Sequence, residues 1–272
     1  MSPSPSESPV LDAPVLVGGH VGQDDPIGQA LSIGADCAQF FLGDPQGWKA
    51  PTFPHPEGAA GLKAAAQEAG VTIYIHAPYV LNVASTNNRI RIPSRKILQQ
   101  QVDAAAEIGA AGLIVHGGHV TKDDDPEVGF DNWRKTFERM DLKVPVLIEN
   151  TAGGDHAMAR RLEAIAQLWD ALDGYDPGFC LDTCHAWAGG IEMPEAAEKI
   201  LAITGRIDLV HANDSQGGFD SGRDRHANFG QGTVGVEPLL ECIATAKAPV
   251  MCETPFTGIA TDIEVIRTYL ST

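Results

Sequence analysis

Six short apolar runs decide how this chain folds: IYIHAP (73–78), LIVHGG (113–118), VLIENTAGG (146–154), FCLDTCHAW (179–187), LVHANDS (209–215) and VMCETP (250–255). Each has the length of one buried strand, and each reaches a side chain able to bind a metal at or near its end. Those side chains are His76, His116, Glu149, Asp182, His211 and Glu253. Side chains alternate faces along a strand, so the residue two places earlier shares the side of the closing residue. Here that set is Tyr74, Ile114, Leu147, Cys180, Leu209 and Met251, apolar or nearly so. The pattern predicts one apolar layer beneath one ring of polar groups.

Outward from these runs the chain alternates. VLVGGHV (15–21) and CAQFFLG (37–43) read as two earlier strands. Helices are expected over PIGQALSIG (26–34), over 57–70, from about Ser94 to Glu107 with Gly109 as the stop, and from about Pro126 to Met140. Four more follow, from about Ala157 to Leu172, Pro194 to Ile203, Val236 to Ala246 and Ala260 to Tyr269. LNVASTNNRIRIP (81–93) reads as a polar loop. Strands alternating with helices imply a parallel sheet, and eight such units in about 250 residues match a closed (β/α)8 TIM barrel. An open doubly wound sheet is the alternative. No internal linker appears, so one barrel domain is expected over 14–272, behind a disordered Ser/Pro-rich tail at 1–13 that lacks the features of a signal peptide.

The chain has 272 residues, 43% of them hydrophobic, enough for a sizeable core. Its 19 basic and 36 acidic residues give a formal net charge of −17, which argues against nucleic-acid binding on charge alone. Three bound divalent cations would bring the net only to about −11, yet the field beside them would differ in sign from that of the whole molecule. The five cysteines, at 37, 180, 184, 242 and 252, are odd in number and lie mostly in apolar runs. They are expected as buried free thiols of a reducing compartment, which places the protein in the cytoplasm. No run approaches the length of a membrane span.

The insert GRDRHANFGQG (222–232) adds Asp224 and His226, and FCLDTCHAW adds His185, making nine candidate ligands with the six above. Imidazole with carboxylate suits zinc, manganese or iron. Nine groups are too many for one ion and suffice for three if one carboxylate bridges. Asp182 closes a strand while His185 opens the following loop, so the two could serve different ions. Asp224 and His226 flank Arg225 at alternate positions, so one extended stretch could present both. Each residue alone has a bland reading, such as a capping Asp182 or a hydrogen-bonded Glu149–Asn150 pair; all would have to hold at once. His55, His119 and His156 read as loop residues, and His20 as a neighbour of the ligands.

The stretches HAPYVLNVAS, VHGGH, IENTAGG, LDTCHAW, HANDS, GRDRHANFGQG and CETP together resemble the deoxyribonuclease IV (endonuclease IV) family of metal-dependent apurinic/apyrimidinic endonucleases. The resemblance runs over roughly 15–270, and RIRIPSRKILQQQ and GDHAMARR make it closest to the actinobacterial branch. It implies a (β/α)8 barrel holding three zinc ions, one or more replaceable by manganese or iron. By that correspondence His76, His116 and Glu149 hold one ion, and Glu149 bridges to a second held by Asp182, His211 and Glu253. His185, Asp224 and His226 hold the third. The activity implied is base excision repair of double-stranded DNA: hydrolysis of the phosphodiester 5′ to an abasic site, with Glu149 as catalytic residue, and trimming of blocked 3′ ends.

An abasic sugar has no base to stack, so flipping it out is cheap, and side chains must fill the gap and grip the bent duplex. Tyr79 and Val80 match positions of the family that penetrate DNA. Asn82, Asn87, Asn88, Arg89 and Arg91 of the same loop, Gln46, Trp48 and Lys49 of the preceding one, and Arg225 are further candidates. Gln46 stands where well-known members carry an inserting Arg, and with the high negative charge this predicts weak, salt-sensitive DNA binding. A monomer is expected. Two other functions compete: a one-metal sugar isomerase or epimerase using Glu149, Asp182, His211 and Glu253, and a non-catalytic DNA-damage binder.

Overall fold

The computed structural model describes residues 14–154 and 156–272; the expected tail at 1–13 lies outside the described residues. Strands β1 (Val17–His20), β2 (Cys37–Phe41), β3 (Thr72–His76), β4 (Gly112–His116), β5 (Val146–Glu149), β6 (Gly178–Asp182) and β7 (Leu209–His211) run parallel and in chain order. After a small antiparallel pair, β8 (Asp214–Ser215) with β9 (His226–Ala227), strand β10 (Val250–Cys252) closes the sheet back onto β1. The helices are α1 (Pro26–Ser32), α2 (Gly58–Ala69), α3 (Asn88–Ile108), α4 (Pro126–Phe137), α5 (Leu162–Ala171), α6 (Thr183–Ala188), α7 (Ala196–Thr204), α8 (Val236–Ala246) and α9 (Phe256–Leu270). This is the expected (β/α)8 TIM barrel.

The predicted apolar layer exists. Tyr74, Ile114, Leu147, Cys180, Leu209 and Met251 form one buried cluster inside the barrel, joined by Cys37 of β2. Each aliphatic side chain sealed there contributes about 1.5–3 kcal/mol relative to exposure. A second, larger core lies between the strands and the helical ring. Gly18 serves the close approach of β1 and β2, since a Cβ there would sit 1.7 Å from the carbonyl oxygen of Cys37.

The register sets the height of each polar residue above that layer. His116 pairs with Glu149 and Asp182 pairs with His211, level across their strands. His76 pairs with Ile114, Glu149 with Cys180, and His211 with Met251, so the polar ring climbs by two residues at each of these junctions. Steps of two preserve the alternation of faces, and all six residues stay inside the barrel.

Three local expectations are corrected. Helix α3 starts at Asn88, not near Ser94, because the Asn87 side chain accepts the Arg89 N–H at 2.9 Å and caps it. Pro93 lies inside the helix, where its missing N–H removes one helical bond and disguises the first turns as loop. Asn88, Arg89 and Arg91 therefore belong to a helix. Helix α5 starts at Leu162 rather than Ala157, since the preceding residues pair with neighbouring loops: Met158 N–H donates to Gly118 O (2.9 Å) and Thr151 N–H to Ala159 O (3.0 Å). His185 opens no loop but sits in the first turns of α6, which Asp182 caps by accepting the His185 N–H at 2.6 Å.

Candidate metal centre

The nine expected residues converge at the C-terminal mouth of the barrel, in sets whose ligand atoms lie within 4.8 Å of one another. His76, His116 and Glu149 form one set, Glu149, Asp182, His211 and Glu253 a second, and His185, Asp224 and His226 a third. Glu149 is common to two because its oxygens face different ways. Its Oε2 stands 3.1 Å from His76 Nε2 and 3.2 Å from His116 Nε2. Its Oε1 stands 3.0 Å from His211 Nδ1 and 3.2 Å from His185 Nδ1. In the third set His185 Nε2 and His226 Nε2 each lie 3.2 Å from the Asp224 carboxylate.

The floor of this site is buried and its rim is exposed. Glu149, Asp182 and His211 are fully buried, while the Asp224 side chain is 54% exposed, so a substrate would enter from the Asp224 side. The imidazoles are oriented from outside. His76 Nδ1 lies 2.7 Å from Ala77 O, His185 Nδ1 3.0 Å from Asn150 O, and His226 Nδ1 3.2 Å from Glu253 O. A carbonyl oxygen only accepts, so each Nδ1 carries a proton and each Nε2 is the nitrogen left to face the site.

That arrangement demands positive charge. His185 Nε2 and His226 Nε2 are buried, have no hydrogen-bond partner, and confront carboxylate oxygens that also only accept. Burial pushes the Glu149 carboxyl up, but His211, His116 and His185 outweigh it and hold it well below the usual carboxylate range. Burial likewise depresses the rings of His185, His211 and His226, yet the surrounding acids, with Cys180 ahead of them at His211, prevail. His185 and His211 rise well above the ordinary imidazole value, and His226 rises to about 9. For His76 burial wins and the ring is lowered. Burial also raises the Asp182 carboxyl; its two oxygens nonetheless accept from His185 N–H (2.6 Å) and the Asn213 amide (2.7 Å), which favours the ionised form. Nitrogen and carboxylate donors facing one another across such gaps fit divalent cations of the zinc, manganese and iron class.

Several residues that complete the site were not among the candidates read from the sequence. Gln39 of β2 is fully buried and bonds both His211 (2.8 Å) and Glu253 (2.6 Å). Asn213 donates to Asp182 and accepts the Glu253 N–H at 2.9 Å. Asp214 anchors the insert: it accepts the N–H groups of Gly230, Gly232 and Val234, each at 3.1 Å. Asn213 and Asp214 lie within the HANDS stretch, which was the one hint the sequence offered. Cys184 also comes near Asp182 and His226, but burial and Asp182 push its thiol up to about 12, so it stays protonated. All five cysteines are buried and free, as expected.

The residues expected to meet DNA divide. Tyr79 is half exposed on the rim, stacks on His116 with centroids 5.6 Å apart, and is tied to the preceding loop by its N–H on Pro45 O at 2.8 Å. Val80 is half buried beside it; Gln46 and Arg225 are exposed. Trp48 and Arg89 line one cavity of about 680 Å³ with Ile92 and Lys96. Arg91 is occupied at home, donating to Ser85 O (2.8 Å) and Thr86 O (3.3 Å), and Asn82 is spent on both sides of the His119 backbone. His119 is exposed, His156 Nδ1 lies 3.1 Å from Thr121 O, and His55 accepts the Glu57 N–H. His20 stands 3.4 Å from Glu253 Oε1, next to the ligands as read.

Residues 27–269 match the family model described as xylose isomerase-like TIM barrel. The chain is 55% identical over 253 residues to a probable endonuclease 4 of Mycobacterium tuberculosis, covering 93% of this chain and 98% of that one. The chain belongs to the endonuclease IV family. It is an endonuclease. A probable endonuclease 4 of Mycobacterium ulcerans is 54% identical over 257 residues, covering 94% of this chain and all of that one. The crystal structure of endonuclease IV from Thermus thermophilus superposes with a TM-score of 0.81 at 26% identity, over 94% of this chain and 99% of that one. A D-tagatose 3-epimerase-like protein (TM-score 0.75, 20% identity) shares the endonuclease IV fold alone.

Proposed function

We propose that this endonuclease repairs DNA by hydrolysing the phosphodiester 5′ to abasic sites in duplex DNA, leaving 3′-hydroxyl and 5′-deoxyribose phosphate ends, and that it also trims blocked 3′ ends. The observation that carries the reading is the sharing of Glu149 between two ligand sets, with a third set alongside. His76, His116 and Glu149 would hold one cation, Glu149, Asp182, His211 and Glu253 a second, and His185, Asp224 and His226 a third. Bound zinc, or manganese or iron in its place, would supply a water made acidic near neutral pH and charge to stabilise the leaving oxygen. Glu149, the catalytic residue, presents an ionised oxygen on each side of a buried floor and orients the attacking water.

Charge placement supports a DNA substrate despite the net −17. Residues 77–102 contain Arg89, Arg91, Arg95 and Lys96 and no Asp or Glu. Arg95, already disfavoured by burial, faces Arg139 and Arg91 with no acid to offset them. A basic flank of Arg89, Arg95 and Lys96 supports the entry of Tyr79 and Val80 into the gap left by the flipped sugar, Arg91 being spent on its own loop. Gln46, Trp48 and Arg225 would add contacts to the strands. The protein would act as a monomer of one barrel domain over 14–272, in the cytoplasm on nucleoid DNA. Five buried free thiols suit that compartment, and no helix among the described residues is long and apolar enough to cross a membrane.

The test is a duplex with one tetrahydrofuran abasic analogue, which blocks β-elimination, incubated with and without chelator and added zinc. Chelator-sensitive cleavage leaving an extendable 3′-hydroxyl is expected, and Glu149→Gln should abolish it while retaining DNA binding. No cleavage by protein holding about three metals per chain would point to another phosphoester. No cleavage with one metal bound would favour the sugar isomerase chemistry that the Glu149, Asp182, His211 and Glu253 set satisfies alone.

A further inference from the structure

Six of the barrel strands or their ends bring candidate ligands; β1 and β2 bring none, and contribute His20 and Gln39 instead. These two are register partners, and the neighbouring Gly19 pairs with Cys252, so both lie level with the end of β10 where Glu253 stands. Gln39 is fully buried, so its amide must be satisfied within the site.

The hydrogen-bonding capacities of its neighbours settle how that amide lies. The ionised Glu253 carboxylate only accepts, and it stands 2.6 Å from one end of the Gln39 amide, which must therefore be the NH2 end. The amide oxygen is then turned to His211 Nε2, 2.8 Å away. An oxygen only accepts, so His211 carries its proton on Nε2. Its Nδ1 is left facing Glu149 Oε1 at 3.0 Å and Glu253 Oε2 at 3.3 Å, and is the nitrogen that a cation held by this set would take. The second amide proton points at His20 Nδ1, 3.0 Å away, which accepts it.

We infer that Gln39 is a positioning residue for the oxygen-rich set of Glu149, Asp182, His211 and Glu253. It selects the His211 tautomer and aims Glu253, and through both it determines how tightly that set holds a cation. The inference rests on the metal reading above. A neutral carboxamide suits this place because the set already carries three carboxylates. A fourth acid would repel Glu253, and an apolar group would free His211 to turn or to change tautomer.

The experiment compares zinc-loaded wild type with Gln39→Leu, which keeps most of the volume, and Gln39→Glu, which keeps an acceptor for His211 and loses the donor to Glu253. Zinc released to a chromophoric chelator is titrated, and the ring nitrogens of His211 are read by long-range proton–nitrogen NMR. Wild type should show the His211 proton on Nε2. Gln39→Leu should release one class of zinc about 10–100-fold more readily, the usual effect of losing an outer hydrogen bond to a ligand, with the remaining zinc held as before. Gln39→Glu should also release zinc early yet keep the His211 proton on Nε2. Should Leu unsettle the core, Gln39→Asn, which shortens the reach of the amide, serves in its place with the same expectation. A wild-type proton on Nδ1, or a folded Gln39→Leu that holds zinc within twofold of wild type, would overturn the inference alone. Wild type that holds no metal would overturn the metal reading together with it.

Discussion

Asp214 and Gly232 are joined by a hydrogen bond of 3.1 Å from the glycine N–H to the buried carboxylate, and it fastens an insert that would otherwise hang over the barrel mouth. The same carboxylate takes the N–H groups of Gly230 and Val234. The Arg160 and Arg161 guanidiniums hold Asp220, just before the insert. Asp224 and His226 lie between these anchors, opposite His185. Replacing Asp214 by Ala deprives three part-buried backbone donors of their acceptor, at a cost of up to about 1–3 kcal/mol each where water does not take its place. Asp214→Ala should lower the melting temperature and lose the cation of the third set first. Metal content equal to wild type would show that the insert is held by other means.

Removing bound metal should destabilise the fold itself. Four carboxylates meet at the barrel mouth, Glu149 and Asp182 among them fully buried, and cations present at about 1,000 times their dissociation constant would add about 4 kcal/mol. At about 2–4 °C per kcal/mol for a domain somewhat smaller than this one, chelation should lower the melting temperature by roughly 10 °C, and zinc should restore it. An unchanged melting curve after verified metal removal would contradict the convergence of charge described above.

Tyr79 and Arg91 should separate in DNA binding although both were expected in one loop. Tyr79 is half exposed with its ring on His116, whereas Arg91 is bonded to its own loop carbonyls. Tyr79→Ala should weaken binding of an abasic duplex by at least about tenfold, within the 1–3 kcal/mol typical of an aromatic–base contact. Arg91→Ala should instead destabilise the loop before α3 and leave the salt dependence of binding nearly unchanged. Fluorescence anisotropy across a salt series distinguishes the two.

Alkaline pH should weaken the fold through its thiols. Burial is the main cause that pushes Cys37 and Cys242 up from 9.0 to about 12. The unfolded chain loses these protons above pH 9 while the folded chain keeps them until about pH 12. Their contribution is therefore complete below pH 9 and lost progressively as pH rises toward 12. Denaturant midpoints should fall from pH 9 upward, and less steeply in Cys242→Ala. Rapid alkylation of the native protein at pH 8 would refute the burial argument.

Much of this molecule is legible along the chain because a barrel strand has period two and ends at the working face. That periodicity identified the apolar layer of Tyr74, Ile114, Leu147, Cys180, Leu209 and Met251, and it placed His76, His116, Glu149, Asp182, His211 and Glu253 above it. Helix α3 was misread at its start because a capping Asn87 and an internal Pro93 look like loop chemistry when their partners are unseen. Helix α6 was missed because its six residues are too short for a helical period to show.

What only the tertiary structure decided is how groups distant in sequence divide a small volume. Glu149 turns one oxygen to His76 and His116 and the other to His211 and His185, a consequence of strand register around a closed sheet. The roles of Gln39 and Asp214 show in no local pattern, since a buried amide or carboxylate acquires its role from the donors and acceptors that folding brings to it. Strand periodicity is a property of neighbours along the chain, and the sequence by itself determined whatever depends on that. Hydrogen-bond satisfaction and charge balance depend on neighbours in space, and those the closed barrel alone supplies.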